Sequence, residues 1–202
     1  MIRVACSEQL HVLEADEFVV RTSGDWALKA AHATACDADA QRWLGWQPEV
    51  VRSYEPLRND LLNRVLDDGP EPADPHHFAL VGKRDRRIMG FVVLARQGGR
   101  FEMGGCLAPQ YRGQGLGAQL FTFGAILAHE HLGLSDIYAG AEVGNIACRG
   151  SLLKAGFTPA NGPAQHTLPD GRVISSLWFK STVARGFVCG PGRCRPRWWP
   201  AR

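Results

Sequence analysis

Apolar residues in the first half of the chain fall into short runs separated by polar turns, a pattern typical of β-strands. Charged residues at 83–87 and glycines at 97–99 form two of these turns. Four runs have the length and the β-branched or aromatic content of strands: residues 18–21, 78–82, 88–95 and 101–107. The last three follow one another closely, so the pattern predicts antiparallel neighbours in a sheet.

Other segments of the first half show helical spacing of their apolar residues. They are residues 26–35, 38–44 and 57–66. Thr22 or Ser23 offers a hydroxyl that can cap the first helix, and Gly45 is placed to end the second.

Helices and strands alternate in the second half of the chain. Leu120, Phe123 and Leu127 lie on one face of a helix that begins at Leu116. The pattern then predicts a strand at 136–141, a helix at 145–156 and a closing strand at 173–180.

The composition is that of one globular domain. The chain has 202 residues, of which 45% are hydrophobic and 21% are charged, and both fractions are ordinary. No apolar run approaches the ~20 residues that span a bilayer, and the first residues lack the apolar core of a signal peptide. We therefore expect a cytoplasmic protein with no membrane contact. The six cysteines are scattered, which predicts mostly reduced thiols and no metal site, with a disulfide or half a metal site at Cys189 and Cys194 as the less favoured alternative.

The last residues, 181–202, differ in charge from the rest. They hold five arginines and no acid, and because the whole chain carries +3, residues 1–180 carry −2. This segment also contains Trp198, Trp199 and the closely spaced Cys189 and Cys194. A basic segment with tryptophans can bind nucleic acid or another polyanion, although a solvated extension is the simpler interpretation. We predict one domain at 1–180 and a separate basic tail at 181–202.

A glycine-rich segment between a strand and a helix is the strongest functional signal. It reads Arg112-Gly113-Gln114-Gly115-Leu116-Gly117-Ala118. Glycine lets the backbone turn tightly and come close to a ligand, and free amides at a helix N-terminus favour an anion. The spacing predicts an anion site, with a glycine-rich helix start that binds nothing as the alternative.

Two separated motifs resemble those of the GNAT acyltransferase superfamily. Residues 112–117 match its pyrophosphate motif, Arg/Gln-x-x-Gly-x-Gly/Ala, and an apolar-x-Pro signature precedes it as Leu107-Ala108-Pro109. Residues 145–157 are similar to the RimJ/RimL-type text Asn-x-Ala-Ser-x-x-x-Leu-x-Lys-x-Gly-Phe, with Cys148 where a serine is usual. The resemblance covers about residues 18–180.

This resemblance implies the fold and the donor. It implies an α/β (α+β) domain whose mixed, mostly antiparallel sheet splays between its fourth and fifth strands and is flanked by helices. It implies acetyl-CoA or another acyl-CoA as co-substrate, with the pyrophosphate on the glycine-rich loop. The cofactor-binding residues that it implies are Leu107, Arg112, Gly113, Gln114, Gly115, Leu116, Gly117, Ala118 and Asn145. Asn145 also suits a helix N-cap, and the two roles can coexist.

The implied reaction is acyl transfer from a thioester to an amine, which needs a base for the ammonium and an acid for the thiolate. Many family members place that acid, a tyrosine, seven residues after Asn145, where this chain has Leu152. Cys148 is the nearest polarisable replacement, although a small core residue suits the position equally. Glu142 and Glu102 are the candidates for the base, with plain surface positions as the alternative.

Trp43 and Trp46 lie in a stretch, residues 43–48, that resembles the acceptor side of RimJ/RimL-like proteins. They can stack on a substrate or pack in the core. We predict an N-acyltransferase for a small-molecule amine or a protein N-terminus, as a monomer or homodimer. Two alternatives remain open: an acyl donor on aminoacyl-tRNA or a carrier protein bound by the basic tail, and a non-catalytic CoA-binding domain.

Overall fold

The computed structural model describes residues 3–6, 11–14, 17–22, 29, 31–56, 76–84 and 86–182. The predicted helix at 57–66, the capping position Ser23 and all of the tail beyond Thr182 lie outside these residues. Thr22, the other proposed cap, is the last residue of a strand. Of the predicted helix at 26–35, residues 29 and 31–33 are described as helical.

Ten strands lie in the described residues. They are β1 (Arg3–Cys6), β2 (His11–Glu14), β3 (Phe18–Thr22), β4 (His76–Gly82), β5 (Ile88–Gln97), β6 (Arg100–Leu107), β7 (Asp136–Glu142), β8 (Thr158–Ala160), β9 (Gln165–Thr167) and β10 (Val173–Thr182). Their order in the sheet is β1-β2-β3-β4-β5-β6-β7-β10-β8, and β9 pairs with β10. All six predicted strands are present, each one or two residues longer than predicted. The sequence did not predict β1, β2, β8 and β9, because strands of three or four residues are too short to show a period.

The strands pair antiparallel except for β6 and β7, which run parallel. That parallel pairing joins only Phe101 to Ile137 and Glu102 to Tyr138. Beyond these residues the two strands pair only with their outer neighbours, β5 and β10, so a gap opens between them. Counted from β3, where the predicted strands begin, β6 and β7 are the fourth and fifth. The structure therefore confirms the predicted splayed, mostly antiparallel sheet.

Helices cover both faces of the sheet. On one face lie α3 (Leu116–Ile126), extended by a π-helical turn (Leu127–His131), and α4 (Ile146–Lys154); on the other lies α1 (Ala38–Leu44), followed by α2 (Pro48–Tyr54). A 3-10 turn (Pro109–Tyr111) leads into α3. None of the helices described is both long and apolar enough to cross a membrane.

Successive side chains of the central strands point to opposite faces of the sheet, so each face has its own hydrophobic core. Phe78 and Leu80 of β4 join the main core under α3 and α4, whereas Ala79 between them joins the smaller core under α1. Since β6 and β7 separate between these two layers, the gap connects the α3–α4 side of the sheet with the α1 side.

Capping residues explain where α1 begins and ends. Its bounds are those predicted; the Asp37 side chain accepts a hydrogen bond from the Ala40 amide at 3.1 Å, and Gly45 ends the helix with a φ of 58°. The sequence did not predict α2. That helix has only seven residues and none of them is buried, so no apolar periodicity marks it.

Leu152 offers a test of the packing between α4 and the main core. Its side chain is fully buried, so Leu152→Ala removes apolar contacts and leaves a cavity. We expect the free energy of unfolding, measured by urea denaturation, to fall by about 2–5 kcal/mol. Leu153→Ala is the matched control, because Leu153 is 51% exposed; its effect should stay within about 0.5 kcal/mol. Equal losses would contradict this arrangement of α4.

Candidate active site

A cleft of about 650 Å³ lies where β6 and β7 separate, with walls from both helical layers. Most of the predicted site residues line it: Trp43, Glu102, Leu107, Arg112, Gly113, Gly115, Gly117, Glu142, Asn145 and Cys148. Gln114, Leu116, Ala118 and Trp46 do not. Leu116 and Ala118 belong to the first turn of α3, and the Gln114 side chain donates to the Gln110 carbonyl at 2.8 Å.

Gly113 and Gly115 form a cradle at the N-terminus of α3. Their φ angles are 74° and 80°, in the left-handed region that favours glycine. A Cβ at either position would meet no atom within 4 Å, so both face open space. Gly115 is the N-cap of α3 and has no side chain to accept from the first-turn amides, and that turn carries no acid. These amides and the positive end of the helix are therefore directed at whatever occupies the cradle.

Gly117 has a different reason to be glycine. A Cβ there would lie 2.6 Å from the Ser151 Oγ and 3.3 Å from the Ser151 Cβ. The missing side chain lets α3 approach α4, which brings the two helix N-termini together at the cleft. The third glycine of the motif thus serves helix packing.

Arg112 is held by protein groups on three sides. Its Nη1 and Nη2 donate to the Asp37 carboxylate oxygens at 2.7 Å each, and its Nε donates to the Leu107 carbonyl at 2.8 Å. The Arg112 hydrogen bond is the main cause that lowers the pKa of Asp37 from its ordinary value, against an opposing effect of burial. Because Asp37 also caps α1, the pair ties the glycine-rich loop to β6 and to α1. In this structure the Arg112 side chain therefore fixes the position of the glycine-rich loop.

Asn145 takes the capping role that the sequence allowed. Its side-chain oxygen accepts from the Cys148 amide at 3.0 Å at the start of α4. It also lines the cleft, and its contact with a cofactor stays a prediction.

Two thiols line the cleft, Cys106 from β6 and Cys148 from α4. Burial raises the pKa of Cys148 to about 11, with a smaller contribution from Cys106, and burial also raises the pKa of Cys106. Both thiols are therefore protonated at neutral pH and can donate weak hydrogen bonds. Leu152, the position of the tyrosine in many family members, is fully buried in the main core and does not line the cleft.

Glu102 lies where β6 leaves β7, and its carboxylate is already paired. Its Oε1 accepts from the Arg100 Nε at 2.9 Å. The Arg100 guanidinium stacks 4.0 Å from the centre of the Trp178 ring, and the Trp178 Nε1 donates to the Pro163 carbonyl at 2.7 Å. This chain of contacts fixes Glu102 in the wall of the cleft.

Glu142 ends β7, and among the residues described no ion pair or side-chain hydrogen bond engages its carboxylate. Its Oε1 and the Trp43 ring converge over Gly144, 3.7 and 4.0 Å from the position that a Cβ would occupy there. The Arg42 guanidinium already lies 4.6 Å from the centre of the Trp43 ring, so the free Glu142 carboxylate is the group that suits an ammonium. Glu142 is thus the better-placed candidate base.

Trp46, the second predicted substrate-binding residue, takes the packing role instead. Its ring lies 5.4 Å from His32 and 6.2 Å from Phe91 between ring centres. His32 is surrounded by these rings and those of Tyr54 and His77, and burial, followed by the charge of His77, lowers its pKa to about 4. Since His32 is neutral at physiological pH, the cluster forms a largely apolar support behind α1.

Sequence reasoning missed several residues of the cleft and its supports. Asp37 carried a signal, because an aspartate directly before a predicted helix is an N-cap candidate. The others carried none, since only the folded sheet brings them to the site: Arg100, Cys106, Ser151 and Trp178.

Comparisons with known proteins agree with this geometry. The family model described as the acetyltransferase (GNAT) domain matches residues 20–158. No curated protein sequence matches this chain significantly.

Solved structures share the fold at low sequence identity. An acetyltransferase of the GNAT family from Bacillus anthracis has a TM-score of 0.61 and 15% identity, covering 85% of this chain and 98% of its own. The ribosomal-protein-S5-alanine acetyltransferase from Vibrio fischeri has a TM-score of 0.58 and 14% identity, and the match covers 85% of this chain and 96% of that protein. Spermidine N-acetyltransferase from Vibrio cholerae, in complex with CoA and spermine, has a TM-score of 0.63 and 16% identity, and the match covers 83% of this chain and 96% of that protein.

The Asp37–Arg112 pair gives a pH-dependent test of the loop. Asp37→Asn keeps the N-cap, because asparagine caps as well as aspartate, but removes the charge; at pH 7 we expect a loss of about 1–3 kcal/mol in unfolding free energy. The folded pKa of Asp37 is lowered, so the stabilisation is present above the ordinary value of about 3.9 and is lost as pH falls through the folded pKa.

Urea unfolding of wild type and variant between neutral and acidic pH measures this difference, which should shrink on acidification. Asp39→Asn, at an exposed acid in the same first turn, should show a smaller difference. A constant deficit for Asp37→Asn at every pH would contradict the ion pair.

Proposed function

The chain belongs to the GNAT acetyltransferase domain family, and on that basis we propose that it is an N-acyltransferase that moves an acyl group from acyl-CoA to a primary amine. Acetyl-CoA is the donor that the family description indicates. The similar solved structures include enzymes named for a polyamine and for a ribosomal protein, so a small amine and a protein N-terminus are both candidate acceptors.

The observation that carries this proposal is the cradle of Gly113 and Gly115 at the open end of the gap between β6 and β7. The cradle suits the pyrophosphate of CoA, since open backbone amides and a helix N-terminus face it. The separated strand edges suit the amide-containing arm of CoA, which can pair there as an added strand would. The Leu107 carbonyl already accepts from the Arg112 Nε at 2.8 Å and from the Cys106 Sγ at 3.4 Å, so we propose that the arm pairs with other backbone groups of this edge.

The proposed transfer is direct. The amine nitrogen forms a bond to the thioester carbonyl carbon, the carbon–sulfur bond breaks, and CoA leaves as the thiolate. We propose that Glu142 receives the proton of the incoming ammonium, because it is the unpaired carboxylate beside Trp43. The Cys148 thiol can donate a hydrogen bond to the departing sulfur. We expect no such part for Glu102, whose charge Arg100 balances.

The two alternative functions lack a comparable observation. The basic tail that suggested a tRNA or carrier-protein donor lies outside the described residues. The missing tyrosine suggested a non-catalytic domain, but a thiolate is a good leaving group without an acid. The cytoplasmic location and the choice between monomer and homodimer stay predictions.

Gly115→Ala tests the donor site, with Gly99→Ala as its matched control. The two glycines have φ angles of 80° and 84°, and a Cβ at either meets no atom within 4 Å. We expect both variants to lose about 1 kcal/mol of stability. Only Gly115→Ala should weaken CoA binding, by at least about tenfold in isothermal titration calorimetry. Absence of CoA binding by the wild type would refute the proposed function.

Glu142→Gln tests the base. We expect kcat/KM for the amine to fall about a hundredfold or more near pH 7, with CoA binding unchanged. The deficit should shrink as pH approaches about 10, because the amine then loses its proton to solvent. Release of free CoA thiol measures the rate. A deficit independent of pH would point to a role for Glu142 other than proton removal.

A further inference from the structure

We propose that the acceptor is a monoamine carried on an apolar arm, and that a polyamine is a poor substrate. This inference rests on the proposed function and names the substrate class of the same site. It follows from an acceptor channel, defined here as the part of the cleft lined by Trp43 and Leu44 of α1 and by Leu168, Pro169 and Ile174 from the connection between β9 and β10 and the start of β10.

The channel has fixed walls because the connection between β9 and β10 is seated on the C-terminus of α1. Gly45 has a φ of 58°, and a Cβ on it would lie 2.8 Å from the Leu168 Cβ. The Arg172 guanidinium donates to the carbonyls of Gln41 and Arg42 at 3.0 Å each. These contacts complete the C-terminus of α1 and set the distance between the two walls.

Two acids around the channel are paired with arginines. Asp170, at its rim, accepts from the Arg172 Nε at 2.7 Å, and Glu102 accepts from the Arg100 Nε at 2.9 Å. Asp39 lines the cleft from the first turn of α1, one turn before Trp43, and among the described residues no ion pair or side-chain hydrogen bond engages it.

Glu142 supplies an unpaired negative charge near Gly144 and the Trp43 ring. Further polar side chains line the cleft, among them Gln97, Ser151, His166 and Ser176, and none of these four carries a negative charge. One ammonium thus has a partner at Glu142, beside the Trp43 ring.

A second ammonium farther along the same arm meets no acid among the five residues that define the channel. It would lie against the apolar walls of the channel and lose water without an ion pair, which is costly. An apolar arm, in contrast, gains from burial against Trp43 and Ile174. The channel consequently selects the arm as well as the amine.

The direct test compares pentylamine with cadaverine, which adds one terminal amine to a chain of the same length. With acetyl-CoA as donor and CoA release as the readout, we expect kcat/KM for pentylamine to exceed that for cadaverine by at least about tenfold. Equal or higher kcat/KM for cadaverine would overturn the inference. Acylation of neither amine by a protein that binds acetyl-CoA would also overturn it, whereas failure to bind acetyl-CoA would refute the proposed function itself.

A charge placed in the channel should reverse the preference. Ile174→Asp supplies a carboxylate for the second ammonium, so the ratio of kcat/KM for cadaverine to that for pentylamine should rise at least about tenfold. Val173→Asp is the matched control, because Val173 is the neighbouring residue, 60% exposed and outside the cleft lining; its ratio should match the wild type. Calorimetry with CoA verifies that both variants fold. An equal rise of this ratio in both variants would contradict the inference, and so would an unchanged ratio in a folded Ile174→Asp. If Ile174→Asp does not fold, the comparison of pentylamine with cadaverine in the wild type still tests the inference.

Discussion

The separation of β6 from β7 is the constraint on which the site depends. Two residue pairs hold these strands together, and beyond Glu102 and Tyr138 each keeps only its outer neighbour. A parallel pair that stays closed would bury its backbone groups in the ladder and leave no passage between the two helical layers. The open edges, the α3 N-terminus and the inner face of α1 meet only because the sheet parts there.

Arginines hold this open arrangement and set its charge. Arg112 joins the glycine-rich loop to the N-terminus of α1 through Asp37, and Arg172 joins the β9–β10 connection to the C-terminus of the same helix. Arg100 meanwhile pairs with Glu102 on the wall of the cleft. The seven-residue helix α1 is thus fixed at both ends, which positions Trp43 between them. The same three arginines pair with the carboxylates of Asp37, Glu102 and Asp170, whereas those of Asp39 and Glu142 have no such partner among the described residues.

The sequence predicted the donor side better than the acceptor side, for a physical reason. A helix start, its glycines and its cap are local features, so the spacing of residues in the sequence was enough to predict residues 112–118 and Asn145 as site candidates. The strands β4 to β6 were long enough to show their period, whereas the short β8 and β9, which pair with β10, were not. Trp43 and Trp46 look alike in the sequence, yet one lines the cleft and the other packs against His32. That difference arises from the docking of α1 on the sheet, and no local pattern encodes it.

The balance of proton affinities shows which step of the proposed transfer needs the most help from the protein. An alkyl ammonium has a pKa near 10.4, so freeing the amine at pH 7 costs about 4–5 kcal/mol, and a thiolate with an ordinary pKa near 8.5 needs no strong acid. Cys148, with a pKa of about 11, would give its proton to such a thiolate only uphill, by about 3 kcal/mol. The proton that leaves the ammonium is itself sufficient to neutralise the departing sulfur. In the proposed mechanism a tyrosine at Leu152 would therefore add little, and the main requirement is removal of the ammonium proton, the role that we propose for Glu142.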